Sequence, residues 1–123
     1  MIINVDPDAP VPPYEQVRAA IATSARRGEL AAGTRLPPVR QLADQLGLAA
    51  NTVARAYREL EQAGLVQTKG RHGTFVTSRA AGVPAEAQQL AARYAERTRA
   101  LGVPPAQAVA LVRAALGMPA ADG

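Results

Sequence analysis

The stretch of sequence that decides the fold runs from Leu36 to Gly64 and reads LPPVRQLADQLGLAANTVARAYRELEQAG. Its apolar residues recur three and four positions apart on both sides of Gly47, which predicts two short helices joined by a turn. A tight helix-turn-helix needs a flexible residue in the turn and a small residue facing the partner helix, and Gly47 and Ala43 provide them. The side chains that we expect to hold these helices together are Val39, Leu42, Ala43, Leu46, Val53, Ala56, Tyr57 and Leu60.

A two-stranded hairpin is predicted directly after these helices. Residues 65–69 and 74–77 have the character of strands, and residues 70–73 form a tight connection with a glycine at each end. Such a hairpin is only marginally stable alone, so it must pack against the helices. Its tip carries Arg71 and His72, and a basic tip of this kind can lie against or inside a minor groove. Two helices, a turn and a basic hairpin together predict a winged helix-turn-helix.

Three further helices are predicted, one before and two after this region. Pro13 opens the earlier helix, and Gly102 breaks the chain between the two later ones. The fold class is therefore mainly α with a small β-hairpin, a winged helix-turn-helix domain followed by a short helical dimerisation module. The predicted strands lie at residues 1–5 and 35–36, and the predicted helices at 13–27, 37–46, 51–63, 85–101 and 105–116. The predicted domain organisation is a DNA-binding domain at 1–78, a linker at 79–84, a two-helix dimerisation module at 85–117 and a flexible tail at 118–123.

Positive charge is concentrated in one segment of the chain. The formal net charge of the 123 residues is +4, and residues 14–79 carry ten Arg or Lys against five Asp or Glu. Residues 80–123 carry four against three. This distribution is typical of a polyanion-binding unit followed by a near-neutral module, although a solvated basic face gives the same count. The absence of Cys excludes disulfide scaffolds, thiolate zinc sites and cysteine nucleophiles.

Eight short blocks between residues 11 and 78 have an order and a spacing that match one known family. The blocks are PYEQV (13–17), GEL (28–30), GTRLP (33–37), RQLA (40–43), NTV (51–53), RELE (58–61), GLV (64–66) and GTFV (73–76). Together they resemble the GntR family of bacterial regulators, which implies a winged helix-turn-helix that binds DNA. The short C-terminal part with two helices is similar to the YtrA-type subfamily, which lacks a large effector domain.

The candidate DNA contacts begin on the two helices of the helix-turn-helix. The resemblance implies that Arg40 contacts DNA near the core of the binding site; a solvated surface Arg is the alternative. Asn51 and Thr52 stand at the start of the third helix, where helix N-termini suit phosphates and the first turn of a recognition helix meets base edges. Either of them can instead cap the helix. Arg55 lies one turn further along and can reach the same groove.

Some neighbouring positions are expected to contribute little to base recognition. Residues 49–50 are both Ala, and Ala54 stands where the family has Arg, so these positions offer only methyl groups. A methyl group can contact thymine, but it makes no hydrogen bond. We interpret Arg58 as a structural residue that pairs with Glu59 or Glu61. Sequence readout is therefore expected to depend on the few polar and basic residues named above and on the wing.

Three residues of the hairpin complete the predicted interface. Arg71 and His72 form the tip, for which an ordinary polar turn is the alternative, and Lys69 is expected to contact phosphate only. His72 is the only histidine of the chain, and it has no Cys or carboxylate cluster nearby in the sequence. A catalytic or metal-binding role for it is therefore not expected.

The last two predicted helices are interpreted as a dimer interface. Their apolar area is too large to remain exposed, and burial against a symmetric copy is the simplest solution. Two Ala-rich helices are too small to enclose a drug-sized ligand, so a small-molecule effector would bind at the dimer interface or between the modules. The predicted interface residues are Leu90, Tyr94, Leu101, Val109, Val112 and Leu116.

These features predict a sequence-specific transcriptional regulator that binds double-stranded DNA as a homodimer. A repressor acting on an inverted repeat is the expected form, and the resemblance implies control of transporter operons and of the protein's own gene. The alternative is a winged-helix protein–protein interaction module without sequence-specific DNA binding. No catalytic motif, phosphate-binding loop, cofactor site or metal cluster is recognised, so we do not expect an enzyme. The sequence shows neither a signal peptide nor a membrane span, which favours the cytoplasm.

Overall fold

The computed structural model describes residues 3–120 and divides the chain into two compact units, Met1–Ala85 and Glu86–Gly123. Residues 1–2 of the predicted first strand and residues 121–123 of the predicted tail lie outside the described residues. Residues 3–5 are not in a strand, which corrects the prediction for that part of the segment. A strand needs a pairing partner, and both strands that the described residues form lie between residue 66 and residue 76. Ile3 is nevertheless buried in the core of the first unit.

Three helices form most of the first unit. They are α1 (Pro13–Arg26), α2 (Val39–Leu46) and α3 (Ala50–Gln62). α3 packs against both of the others, and it buries one complete face because its apolar residues recur with the helical period. The prediction of a helix-turn-helix within a mainly helical domain is confirmed. The buried residues of α3 are Val53, Ala56, Tyr57 and Leu60, all of which were predicted to point inward.

The turn between α2 and α3 is built around Gly47. Its φ of +68° lies in the left-handed region, where a side chain costs about 1–2 kcal/mol. The Leu48 amide donates to the Ala43 carbonyl at 2.9 Å and thereby satisfies one of the last carbonyls of α2. Ala43 is buried, as the small residue at this position predicts. Glycine is therefore needed here because of its left-handed backbone conformation. This conformation turns the chain sharply enough for α3 to begin three residues after Gly47.

The wing is a hairpin of β1 (Val66–Thr68) and β2 (Thr74–Val76), which pair in an antiparallel register. Residues 33–36 run along the other edge of β2. Arg35 forms an antiparallel bridge with Phe75, and the Leu36 amide donates to the Thr74 carbonyl at 2.8 Å. The brief strand predicted at residues 35–36 is thus present as this bridge. It gives the short hairpin a third paired segment, which two strands of this length need for stability.

A short helix, α4 (Ser78–Ala81), occupies part of the segment that was predicted to be a linker. The Thr77 hydroxyl caps it by accepting from the Ala80 amide at 3.2 Å, and the same hydroxyl donates to the Gly64 carbonyl at 2.7 Å. Ala80 is buried in the core of the first unit. The prediction from composition was wrong here because it overlooked a threonine in the N-cap position.

The second unit is a hairpin of two helices, α5 (Ala85–Ala100) and α6 (Pro105–Ala115). The Tyr94 hydroxyl donates to the Ala108 carbonyl at 2.7 Å and ties the helices together. Among its described residues, Thr98 and Ala108 are the buried ones. None of the helices within residues 3–120 combines the length and the apolar character needed to cross a membrane. The large apolar side chains that remain exposed in this unit are Leu90, Leu101, Val109, Leu111, Leu116 and Met118.

Candidate nucleic-acid interface

The first turn of α3 presents its polar side chains to solvent. Asn51 is exposed and Thr52 is half-buried. The helix begins at Ala50, one residue earlier than predicted, and its N-cap position is taken by Ala49, which has no side chain that can cap. Neither Asn51 nor Thr52 is therefore the cap residue, and that alternative is wrong. Both side chains stand instead at a helix N-terminus, where unpaired amides and the helix dipole favour phosphate.

Arg40 lies in the first turn of α2 and is exposed. The position of this turn is fixed by a bond from the neighbouring helix, because the Tyr57 hydroxyl of α3 donates to the Pro37 carbonyl at 2.7 Å. Tyr57 is 7% exposed, so the bond is made inside the protein. The sequence predicted a core role for Tyr57 but gave no sign of this bond. The bond ties the helix that carries Asn51 to the segment that leads into Arg40.

We predict that Tyr57→Phe lowers the free energy of unfolding at neutral pH. The free energy of unfolding of the variant should also depend less on pH in the alkaline range than that of the wild type. Burial raises the pKa of Tyr57 to about 12, so the folded state favours the neutral phenol. The resulting stabilisation is complete below the unfolded-state pKa of about 10 and is lost as the pH rises through 12, a change of about 2–3 kcal/mol. At neutral pH, loss of the hydrogen bond is expected to cost about 1 kcal/mol.

Urea unfolding followed by circular dichroism, at about pH 8 and about pH 11, tests this prediction. The free energy of unfolding of the wild-type protein should fall more between these two conditions than that of the Phe variant. At the lower pH the two proteins should differ only by the lost hydrogen bond. An equal loss in both proteins would show that the pKa of Tyr57 is the same in the folded and unfolded states, and would contradict the raised value.

Arg55 is engaged within the first unit. Its guanidinium lies over the Tyr14 ring, 3.7 Å from the ring centroid, and its Nε is 3.3 Å from a carboxylate oxygen of Glu59. The sequence assigned the structural ion pair to Arg58, but Glu59 pairs with Arg55, one helical turn away. Glu61 accepts a hydrogen bond from a backbone amide of the wing. The stacking on Tyr14 links α1 to α3, and the two contacts of Arg55 make it the weakest of the proposed DNA contacts.

A second charged pair lies on α1 beside this stacking. Arg18 donates two hydrogen bonds to the carboxylate of Glu15, one from Nε at 2.8 Å. These bonds lower the pKa of Glu15 and raise that of Arg18, whose charge is also favoured by Glu59 of α3. Ion pairs between such partly exposed side chains contribute little to stability.

The wing tip is one turn of 3-10 helix, Gly70–His72, rather than the simple tight connection that was predicted. The turn is closed by the Lys69 amide, which donates to the Gly73 carbonyl at 2.8 Å. Arg71 and His72 are exposed at the tip. The exposed Lys69 places its Nζ over the Phe75 ring, 5.2 Å from the centroid. Three side chains predicted to contact DNA thus project from a compact, internally hydrogen-bonded loop.

Two contributors to the wing were not predicted. Glu61, in the last turn of α3, accepts from the Thr68 amide at 3.0 Å and so fixes the wing relative to the helix. Arg35 lies on the other edge of the wing, beside β2 and Gly73. Its place in the GTRLP block was the only sign of its importance in the sequence. Within residues 3–120, no group of three or more His, Asp or Glu residues could hold a metal ion.

The positions that were expected to offer only methyl groups lie on the same helix as Asn51. Ala49 and Ala50 are exposed, and Ala54 is half-buried. These methyl groups can contact a thymine methyl but carry no hydrogen-bonding information. The polar groups of the first turn and the wing therefore provide most of the interface.

Comparison with known proteins agrees with this geometry. The profile of the bacterial regulatory proteins, gntR family, matches residues 13–76. The HTH-type transcriptional regulator Rv1152 of Mycobacterium tuberculosis is 49% identical over 107 residues, which cover 87% of this chain and 88% of that protein. The HTH-type transcriptional repressor YtrA of Bacillus subtilis is 35% identical over 79 residues, which cover 64% of this chain and 61% of that protein.

Solved structures give the same result. YtrA from Sulfolobus acidocaldarius, a GntR-family transcription factor, has a TM-score of 0.61 and 30% identity, over 83% of this chain and 99% of that one. The DNA-binding domain of AraR in complex with operator ORX1 has a TM-score of 0.56 and 26% identity, over 63% of this chain and 99% of that one. The likeness to an operator complex favours DNA binding over the alternative of a protein-interaction module.

Proposed function

Because the chain belongs to the GntR family of bacterial regulatory proteins and is a DNA-binding transcriptional regulator, we propose that it is a repressor that binds an inverted-repeat operator as a homodimer. The observation that carries the proposal is the exposure of the first turn of α3 and of the wing tip, while the inner face of α3 is buried. Asn51 and Thr52 then meet base edges in a major groove. Arg40 contacts DNA near the core of the operator, and Arg71 contacts the flanking backbone.

The proposal of a homodimer is supported by the second unit. Its two helices bury little of their own apolar surface, and Leu101 and Leu116 are 75% and 68% exposed. An open groove of about 500 Å³ runs along this unit and is lined by Tyr94, Val109 and Val112 among others. Apolar area of this extent is unfavourable in water and is typical of an interface. A second copy of the same unit would cover it.

Dimerisation also accounts for specificity. A single winged domain offers few polar groups at its recognition helix, since Ala49, Ala50 and Ala54 present only methyl groups. Two half-sites held by one tether multiply their affinities through a high effective concentration. The two-fold symmetry of such a dimer requires an operator with matching symmetry, which is an inverted repeat.

The proposal of repression is supported by the names of relatives, among them the repressor YtrA of Bacillus subtilis. We propose further that the protein acts in the cytoplasm on its own gene and on a transporter operon. Occupation of a promoter by a protein dimer blocks transcription without any catalytic chemistry. A duplex taken from the region upstream of the protein's own gene is therefore the first probe to use.

We predict that affinity for this duplex falls steeply with salt concentration. Each phosphate neutralised by Arg or Lys contributes about −0.9 to the slope of log K against log salt concentration. A dimer that contacts about six to ten phosphates should lose about 10³ to 10⁵ in affinity between about 50 and 200 mM salt. Fluorescence anisotropy at several salt concentrations measures this slope.

A scrambled duplex of the same length is the matched control in this experiment. It should bind more weakly at every salt concentration, because it retains the phosphates but lacks the inverted repeat. Equal affinity for the two duplexes would contradict an operator in this region. Affinity that does not respond to salt would contradict the proposed interface itself.

A further inference from the structure

The wing has an outer face that the proposed contacts leave largely unused. Arg35 and Gln67 lie opposite Phe75, on either side of β2. Because directly paired residues of a sheet project to the same side, these three side chains share one face. Val66 and Val76, the next pair along the sheet, are buried on the opposite face against the core. The face that carries Arg35 is therefore the one turned away from the core.

Arg35 is packed closely against Gly73, which we call the neck of the wing tip because the turn Gly70–His72 rejoins β2 there. A Cβ atom added to Gly73 would lie 2.6 Å from the Arg35 Nε and 3.3 Å from Cζ, so a side chain there would displace the guanidinium. The φ of Gly73 is +111°, a region that only glycine adopts without strain. Glycine at this position thus allows both the sharp bend of the wing and the close approach of the guanidinium.

The outer face is cationic and has no paired carboxylate. Arg35 and Lys69 come from opposite edges of β2, and neither takes part in an ion pair of the described residues. Lys69 lies over the Phe75 ring. The carboxylate of Glu61, at the end of α3, is engaged by the Thr68 amide. A guanidinium held by packing but without a counter-ion is prepared to bind an anion that arrives with the ligand.

We infer that Arg35 contacts a DNA phosphate on the rim of the groove that the wing tip enters. This inference rests on the proposed function, and it adds a contact behind the tip. Arg71 and His72 lie ahead of Gly73 in the turn, whereas Arg35 lies beside the neck. Phosphates line both rims of a minor groove about 6 Å wide, so a cation beside the neck of an inserted tip faces a phosphate. Arg35 therefore contributes to affinity without reading sequence.

The test compares Arg35→Gln with Arg35→Lys and with a control, Arg27→Gln, that removes the same charge from the exposed end of α1. Affinity is measured by anisotropy, over a range of salt concentrations, with the upstream duplex and with its scrambled form. Arg35→Gln should weaken both duplexes by about tenfold per copy of the protein and reduce the salt slope by about one per copy. Arg35→Lys should keep the slope, and Arg27→Gln should match the wild type.

Several results would overturn the inference. One is a salt slope of Arg35→Gln equal to that of the wild type; another is a loss confined to the upstream duplex, which would indicate base reading. A loss of slope in Arg35→Lys as large as in Arg35→Gln would show that Arg35 only supports the wing. Thermal unfolding followed by circular dichroism identifies a variant that is misfolded. If Arg35→Gln is misfolded, the salt slope of Arg35→Lys decides whether Arg35 contacts phosphate. If the wild-type protein binds neither duplex, the proposed function itself fails.

Discussion

Replacement of Arg40 by Ala is expected to lower the affinity for the operator by about 100-fold and to leave the fold intact. Arg40 is exposed in the first turn of α2, so its side chain contributes little to the core. An Arg contact to a base edge is worth about 1–3 kcal/mol, and a homodimer uses the contact twice. A loss of about 1.4 kcal/mol per copy gives a factor of ten for each half-site.

The expected loss for Arg40→Ala differs from that of the Arg35 variants in its dependence on sequence. It should be larger for the upstream duplex than for the scrambled one if Arg40 reaches a base, and equal for both if it contacts only phosphate. Arg93→Ala removes an exposed Arg from α5 and is the matched control. An unchanged dissociation constant for Arg40→Ala, with the wild type binding, would contradict the role assigned to α2.

Placing a charge on the apolar side of the second unit is expected to lower the affinity for the operator at least as much, because it should prevent dimerisation. Val109→Asp puts a carboxylate on a side chain that is 55% exposed in the single chain, so the monomer should tolerate it. In a dimer that buries this position, the carboxylate would lose its hydration without gaining a partner. The variant is therefore expected to be monomeric, and its operator affinity should fall by about 10² to 10⁴ because the two half-sites are no longer linked.

Light scattering in the absence of DNA gives the mass of the Val109→Asp variant directly. Gln107→Asp adds the same charge to an exposed polar position of α6, and it should remain dimeric and bind like the wild type. A wild-type protein that is monomeric at micromolar concentration would contradict the proposed dimer. A Val109→Asp variant that remains dimeric would show that the dimer interface does not include this face.

The parts of the fold that depend on local periodicity were predictable. Val53, Ala56, Tyr57 and Leu60 recur as one face of a helix needs, and all four are buried. Gly47 was predicted to provide the turn, and its left-handed backbone conformation confirms this. In these cases each residue's role is set by its neighbours within one or two helical turns.

The parts that depend on distant partners were not predictable. Tyr57 bonds to a carbonyl 20 residues earlier in the chain, and no periodic pattern marks such a pair. The place of Arg35 beside Gly73 likewise requires knowledge of which segment adds to the edge of β2. The capping role of Thr77, by contrast, has a local signal, since a threonine directly before a run of helix-forming residues favours an N-cap.

The assignment of Arg55 to the DNA interface and of Arg58 to a structural ion pair shows a limit of a different kind. Both lie within reach of acidic residues on α3, and spacing alone leaves the pairing open. Arg55 is set apart by Tyr14 on α1, whose ring lies under its guanidinium, whereas Arg58 takes part in no ion pair of the described residues. Contacts between helices, rather than charge spacing along one helix, therefore determine which arginine is engaged.

Among the residues that the structure describes, those buried in the core of the first unit all lie between Ile3 and Ala80. A gene segment that ends just past codon 85 therefore encodes everything that this core requires. Recombination at that point can exchange the downstream sequence for another without creating a void or a clash in the interior. New signals or new modes of assembly can in this way be acquired by fusion, while the DNA-binding unit is inherited unchanged.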